Sequence, residues 1–293
     1  MISVTNISNT DSVIDKYIYV LWIGSFLVGF LSLFMHSAYR ASFSARQVLT
    51  ILGVQTDPNN QACFLMFGIS ISLYYIITRK QMIVPGIATI VINMFSMMMT
   101  ASRGGIVAVV AMLIIILLFV VKDTKTKIWG IIGVAAVAFI VFRYSNIYVS
   151  VASIERLVDL EDYEGGGHRI EIWKNALQLV NENPLYYLFG AGWGSYYTYN
   201  GWLGMHNTYL ETFCNTGLIG LFLFYYPILK SSIYLWKKER YLPIFIILPI
   251  LIAAFFLDSI NKRYFWNSIL VLFLFYFNER DKDYSSIQSE SMN

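Results

Sequence analysis

Long apolar stretches alternate with short polar connections along the whole chain. The apolar runs cover about residues 17–36, 62–78, 82–101, 104–121, 128–143, 207–229, 243–260 and 264–277. Each approaches the roughly 20 residues a helix needs to cross about 30 Å of hydrocarbon, the fifth and eighth being the shortest. The pattern predicts an all-α polytopic membrane protein of about eight transmembrane helices. The polar connection 144–206 stands apart by its length. Loops this long without a domain of their own are usually functional or disordered. Within it, HRIEIWKNALQLVNENP has helical period. Trp173, Ala176, Leu177 and Val180 form one stripe, and Glu171, Lys174, Asn175 and Gln178 the opposite one. Pro184 ends the segment. An amphipathic helix carrying a tryptophan beside a bilayer belongs in the interface, and Arg169, one turn before Trp173, projects from its start on the buried side.

Composition agrees with the pattern. Hydrophobic residues make up 57% and charged residues 13% of the 293, the latter about half the soluble share, and the mean hydropathy is +0.58. The net charge of +3, without a basic helix or aromatic-basic alternation, gives no reason to expect a nucleic-acid partner. Cys63 and Cys214 lie in apolar runs and read as small hydrophobes. Residues 1–16 lack a charged n-region and a cleavage site, so the first span reads as an uncleaved anchor. The charged tail 278–293 is expected to be disordered.

Loop charge sets the orientation. Arg79-Lys80, the cluster Lys122, Lys125 and Lys127, the group Lys230, Lys237, Lys238 and Arg240, and the tail with Arg280 and Lys282 fall on alternate connections. Those connections are cytoplasmic by the positive-inside bias. The expected organisation is a cytoplasmic N-terminus (1–16), spans one to five (17–143), a large extracytoplasmic loop (144–206), spans six to eight (207–277) and a cytoplasmic tail (278–293).

Candidate chemistry gathers on the extracytoplasmic side. Three helices are expected to begin there: one after Ser102-Arg103-Gly104-Gly105, one after Gly165-Gly166-Gly167-His168-Arg169, one after His206-Asn207-Thr208. A helix N-terminus carries partial positive charge and unpaired N–H groups, so three of them supplied with Arg or His suit a phosphate or diphosphate.

Four segments carry a family resemblance. HNTYLETFCNTGLIG, with His206-Asn207 followed by Gly217 and Gly220, resembles the signature of the O-antigen ligase and polymerase family. TASRGGIVAVV is similar to that family's Ser-Arg-Gly start to a span, GGGHRIEIWKNALQLVNENPLYYLFGAGWGSY to its Arg, Trp, Pro-Leu and Gly-x-Gly stretch, and DPNNQA to its Pro-Asn motif. Their order agrees, over about residues 57–220. Family members usually carry more spans ahead of the Pro-Asn motif, so the resemblance implies a compact or N-terminally shortened member.

The resemblance implies transfer of a glycan from undecaprenyl diphosphate to a sugar hydroxyl at the extracytoplasmic face of the cell membrane. The donor and the glycan acceptor are then the partners, with membrane lipids around them. Polymerisation of capsular, exopolysaccharide or O-antigen repeat units is the first reading. Ligation to a lipid or other anchor is the alternative. The Ile-, Lys-, Asn- and Tyr-rich usage of an AT-rich, Gram-positive type of source favours polymerisation. Under this reading His206 is the general base, and Arg103 and Arg169 hold the diphosphate. Arg156, His168, Asn207 and Glu211 are candidate substrate-binding residues. An ionisable Glu211 inside a span is a functional candidate by default, whereas Asp57-Pro58-Asn59 reads first as turn chemistry. No cofactor or metal is expected. GAGWG (190–194) lacks the strand and helix of a dinucleotide loop, and the acidic run Asp159, Glu161, Asp162 and Glu164 reads as a solvated loop. A transporter would place charges at mid-membrane depth and show related halves; a non-catalytic family member is the remaining rival.

Overall fold

The computed structural model of the protein describes residues 10–39, 46–79, 82–125, 127–133, 168–199 and 204–291. In chain order its elements are α1 (Thr10–Phe34), strands β1 (His36–Ala38), β2 (Gln47–Ile51) and β3 (Val54–Gln55), α2 (Pro58–Tyr74), α3 (Ile83–Met99), α4 (Arg103–Ile115), α5 (His168–Asn181), α6 (Pro184–Phe189), α7 (Ser195–Tyr199), α8 (Thr208–Lys237), α9 (Leu242–Ala253) and α10 (Arg263–Ser291). α2 and α4 run on into wider π-helical turns, Tyr75–Arg79 and Ile116–Val120. Four helical stretches are long and apolar enough to cross a membrane: Asp11–Phe34, Pro58–Ile77, Arg103–Val120 and Thr208–Lys237. α3 and α9 are apolar but shorter. Of the expected fifth span, 127–133 is helical and 134–143 lies outside the described residues.

Three expectations need correction. The described chain is mostly helical but not purely so. The connection after α1 forms a small antiparallel sheet, β1 pairing with β2 and β2 with β3. Leu52 and Gly53, at φ +51° and +80°, make the tight turn between β2 and β3, a backbone whose twist suits a hairpin. Val48 and Leu49 are buried, and the Leu49 N–H donates to Gln61 Oε1 at 2.9 Å. The alternation is too short to announce itself in the sequence.

The second correction concerns α9, which ends at Ala253 rather than near residue 260. The carbonyls beyond it are taken up by the first residue of α8. The Thr208 N–H donates to Ala254 O at 2.8 Å, and its hydroxyl donates to Leu257 O at 2.6 Å and accepts from the Ser259 N–H at 2.8 Å. The third concerns the polar tail. α10 continues through it to Ser291, held by ion pairs Lys238–Asp283 (2.7 Å), Arg240–Glu279 (3.1 Å) and Lys282–Asp11 (3.0 Å).

The main core is built from α1, α2, α4, α9 and α10 around Phe67, Met112, Phe245 and Phe265. Polar side chains inside it bond to one another and to the backbone, as a lipid surround favours, although Asn93 Oδ1 has no hydrogen-bond partner. Asn93 Nδ2 and the Gly68 N–H both donate to Ser25 Oγ, each at 3.0 Å. A second, smaller core gathers Ile172, Ala176, Leu179, Val180, Tyr196, Met205 and Cys214 where α5, α7 and the start of α8 meet. The buried stripe of α5 therefore contains Ile172 and Leu179. Leu177, expected on that stripe, is exposed, because the face is set by packing against α8 rather than by apolar character alone.

Candidate active site

Three arginines from three different segments line one cavity of about 280 Å³: Arg46 ahead of β2, Arg103 in the first turn of α4, and Arg169 in the first turn of α5. Trp173, Phe256 and Leu257 complete much of its wall. The backbone explains how α4 reaches it. Ala101 adopts φ +47°, a conformation costing a non-glycine residue roughly 1–3 kcal/mol, and turns the chain so that Ser102 becomes the N-cap of α4. Gly104 and Gly105 then let α4 press against its neighbours: an added Cβ would stand 3.0 Å from Phe256 Cβ and from Ala62 Cβ, respectively. Arg169 and Trp173 share one face of α5 at i, i+4 spacing, so the same turn that carries the charge carries the wall.

A similar backbone device opens α8. His206 has φ +50°, and Asn207 caps the helix, its Oδ1 accepting from the Tyr209 and Leu210 N–H groups at 3.1 and 3.0 Å. His206 Nδ1 lies 3.3 Å from Asp258 Oδ2, and the backbone N–H groups of His206 and Asn207 also favour the charged carboxylate, whose Oδ1 is buried without a hydrogen-bond partner. Burial pushes the Asp258 carboxyl above its ordinary range, opposed by His206, by those two N–H groups and by Lys262. The imidazole itself is 47% exposed, so it meets solvent while its partner is sheltered. Gly204 leaves room for the pair, since a Cβ there would stand 2.7 Å from Asp258 Oδ2.

Two short links join the dyad to the cavity. Asp258 directly follows Phe256 and Leu257 of the cavity wall, and Trp173 Nε1 donates to Met205 O, next to His206, at 3.0 Å. His206 is thus a neighbour of the arginine cavity and does not line it. Glu211 is buried in the first turn of α8, with Tyr197 OH donating to its Oε1 at 3.3 Å. Burial and that nearby carboxylate hold the Tyr197 hydroxyl above its ordinary pKa. His168 begins α5. Arg156, the acidic run 159–164 and Gly165–Gly167 lie outside the described residues.

The remaining motif positions serve the backbone. Gly217 interrupts α8 with φ +66° and ψ −170°, and Gly190 follows α6 with φ +76°. The two chains cross there: a Cβ on Gly217 would collide with the backbone of Leu188 and Phe189, one on Gly190 with that of Asn215 and Thr216. The Ala191 N–H donates to Cys214 O at 2.7 Å across the crossing. Sequence reasoning missed Arg46 and Asp258. No local motif marks either, and Asp258 seemed to sit within an apolar span.

Apolar helices enclosing a polar, cation-lined site at one end define an integral membrane protein with an enzyme-like centre. Residues 87–225, a little under half of the chain, match the family model described as O-antigen ligase, which supports the resemblance to the O-antigen ligase and polymerase family. The match spans Arg103, Arg169, His206, Asn207 and Glu211, and stops short of Asp258. No curated protein and no solved structure matches the chain.

Proposed function

We propose that the protein transfers a glycan from undecaprenyl diphosphate to a sugar hydroxyl at the extracytoplasmic face of the cell membrane, polymerising repeat units. The observation that carries this reading is the cavity of three arginines one loop away from the His206–Asp258 pair. A diphosphate leaving group gains negative charge as its bond to the sugar breaks. Arginines meet such oxygens with a planar fork and stay charged in any surroundings, and fixed positive groups aimed at developing charge are usually the largest catalytic contribution. A cavity of about 280 Å³ is sized for a charged head group rather than a sugar chain.

The acceptor hydroxyl forms a new bond to the anomeric carbon while the bond from that carbon to the diphosphate oxygen breaks, its electron pair leaving on that oxygen. The acceptor proton goes to His206 Nε2. Asp258 at Nδ1 holds the ring in the tautomer that leaves Nε2 as acceptor and stabilises the imidazolium. One base and one displacement imply inversion at the sugar. The arginines supply the charge that a divalent ion supplies in many other transferases, so the transfer is metal-independent. Loop charge supports an eight-span arrangement with both termini cytoplasmic and residues 144–206 outside, and on this reading the centre faces the side where lipid-linked repeats await assembly.

The test is purified full-length protein in lipid nanodiscs with a lipid-linked repeat, assayed with EDTA. Lengthened glycan is expected, and His206→Ala lowers the rate by about 10²–10⁴ while the protein still accumulates. Wild-type product from a well-folded His206→Ala protein overturns the base assignment. Activity lost in EDTA and restored by Mg²⁺ overturns the arginine account.

A further inference from the structure

The small sheet brings the chain back to the end of α1. β2 runs antiparallel to β1 with Leu49 opposite His36, and the pairing goes one step further, the Thr50 N–H donating to Met35 O at 2.7 Å. The turn that follows β2, Ile51-Leu52-Gly53-Val54, therefore lies level with the last turn of α1. It is held there firmly. The Thr56 N–H donates to Leu49 O at 3.1 Å, and Gln55 Nε2 donates to Ala38 O of β1 at 2.6 Å. The Thr56 hydroxyl donates to Gln61 Oε1 at 2.7 Å, and Gln61 Nε2 donates in turn to Ser32 Oγ of α1 at 2.9 Å.

What this turn presents is unsuited to water. Leu52 is 97% and Val54 73% exposed, Ile51 is exposed as well, and a Cβ on Gly53 would meet nothing within 4 Å. Two successive residues at positive φ suit a hairpin turn whose first position is ordinarily Asn, Asp or Gly. A leucine there bears the backbone strain with no polar side chain to offset it. No charged residue stands between Arg46 and Asp57. Single exposed apolar residues need no explanation, but a contiguous patch marks a surface that something covers. This patch continues onto α1, where Phe34 is 71% exposed and Met35 and Phe30 are exposed too. The stretch Asp11–Phe34 has 24 residues, about 36 Å at 1.5 Å per residue, so its end stands at the edge of a hydrocarbon layer about 30 Å thick. The turn thus extends a lipid-facing helix surface at the depth where lipid is its neighbour.

We propose that the Ile51–Val54 turn is an interfacial anchor, inserted into the lipid at the membrane boundary beside the end of α1. The anchor holds the small sheet at the membrane surface, and it does so whatever the arginine cavity binds. The experiment uses full-length protein in phosphatidylcholine nanodiscs, with a nitroxide attached at Leu52→Cys or, separately, at Val54→Cys. Collision rates are measured with dissolved oxygen, which concentrates in lipid, and with a water-soluble nickel chelate. Cys63 and Cys214 are buried, so the introduced thiol takes the label. Oxygen collisions are expected to exceed chelate collisions at both positions, and adding Leu52→Asp to the Val54→Cys protein reverses that order. Chelate collisions in excess at both positions put the turn in water and overturn the proposal. Low rates with both reagents put it against protein, a second copy or another chain, and overturn it equally. An oxygen excess that survives Leu52→Asp shows that Leu52 holds nothing in the lipid, and overturns the anchor.

Discussion

At the scale of single residues, the geometry separates two kinds of charge. Arg103 and Arg169 line a cavity, where under the proposed function they meet the diphosphate through a planar fork. His206 meets solvent on one side and a sheltered carboxylate on the other. Two substitutions follow. Asp258→Asn keeps the shape but presents an amide to Nδ1, which loses the tautomer control, and the transfer rate is expected to fall by about 10²–10⁴. The check is single-turnover transfer together with a melting curve, because a variant that retains the wild-type rate shows His206 needs no partner. Arg169→Lys keeps the charge and discards the fork, and is expected to lose most of the activity with little change in stability. Full activity in that variant reduces Arg169 to a point charge.

Among the elements, α8 controls where His206, the proposed base, stands. Its cap Asn207 contributes about 1 kcal/mol through the two N–H groups it satisfies. Its break at Gly217 lets the backbone at the end of α6 cross it at contact distance, and Met205, one residue before His206, sits in the smaller core beside it. Gly217→Ala must force a side chain into a backbone crossing at positive φ. The expected loss is roughly 1–3 kcal/mol for the conformation and a further ~1–3 kcal/mol for the overlap. Thermal unfolding of the purified variant measures this, and an unchanged midpoint shows that the crossing can relax. Under the proposed function the signature stretch is half chemistry and half architecture: His206 is the base, while Gly217 allows the backbone crossing beside it.

For the whole molecule, the prediction concerns which end of the bundle faces out. The charge of the short connections predicts that 144–206 is extracytoplasmic and the Lys122–Lys127 connection is not. A cysteine introduced by Ser195→Cys is expected to react with an impermeant thiol reagent in intact cells, and one introduced by Thr126→Cys only after lysis. Cys63 and Cys214 are both buried, which keeps the background low. Labelling of the Thr126→Cys protein before lysis inverts the topology and moves the site to the cytoplasmic face.

Hydrophobic length and periodicity determine the membrane character and most helices without any tertiary help, because a span must bury its own backbone in lipid and shows this as an unbroken apolar run. Local motifs likewise mark His206, Asn207, Arg103 and Arg169, whose roles depend on helix starts a few residues away. Arg46 and Asp258 are different. Asp258 reaches His206 only because α9 stops early, its following carbonyls claimed by Thr208 of α8, and Arg46 reaches the cavity only through Thr100 and Asn59, each on another segment. Such contacts rest on how distant elements pack, and no pattern of neighbouring residues encodes them. The sequence by itself determined a membrane-embedded helical chain with a cationic, histidine-bearing face; the tertiary structure decided which charges share a cavity and which carboxylate the histidine answers to.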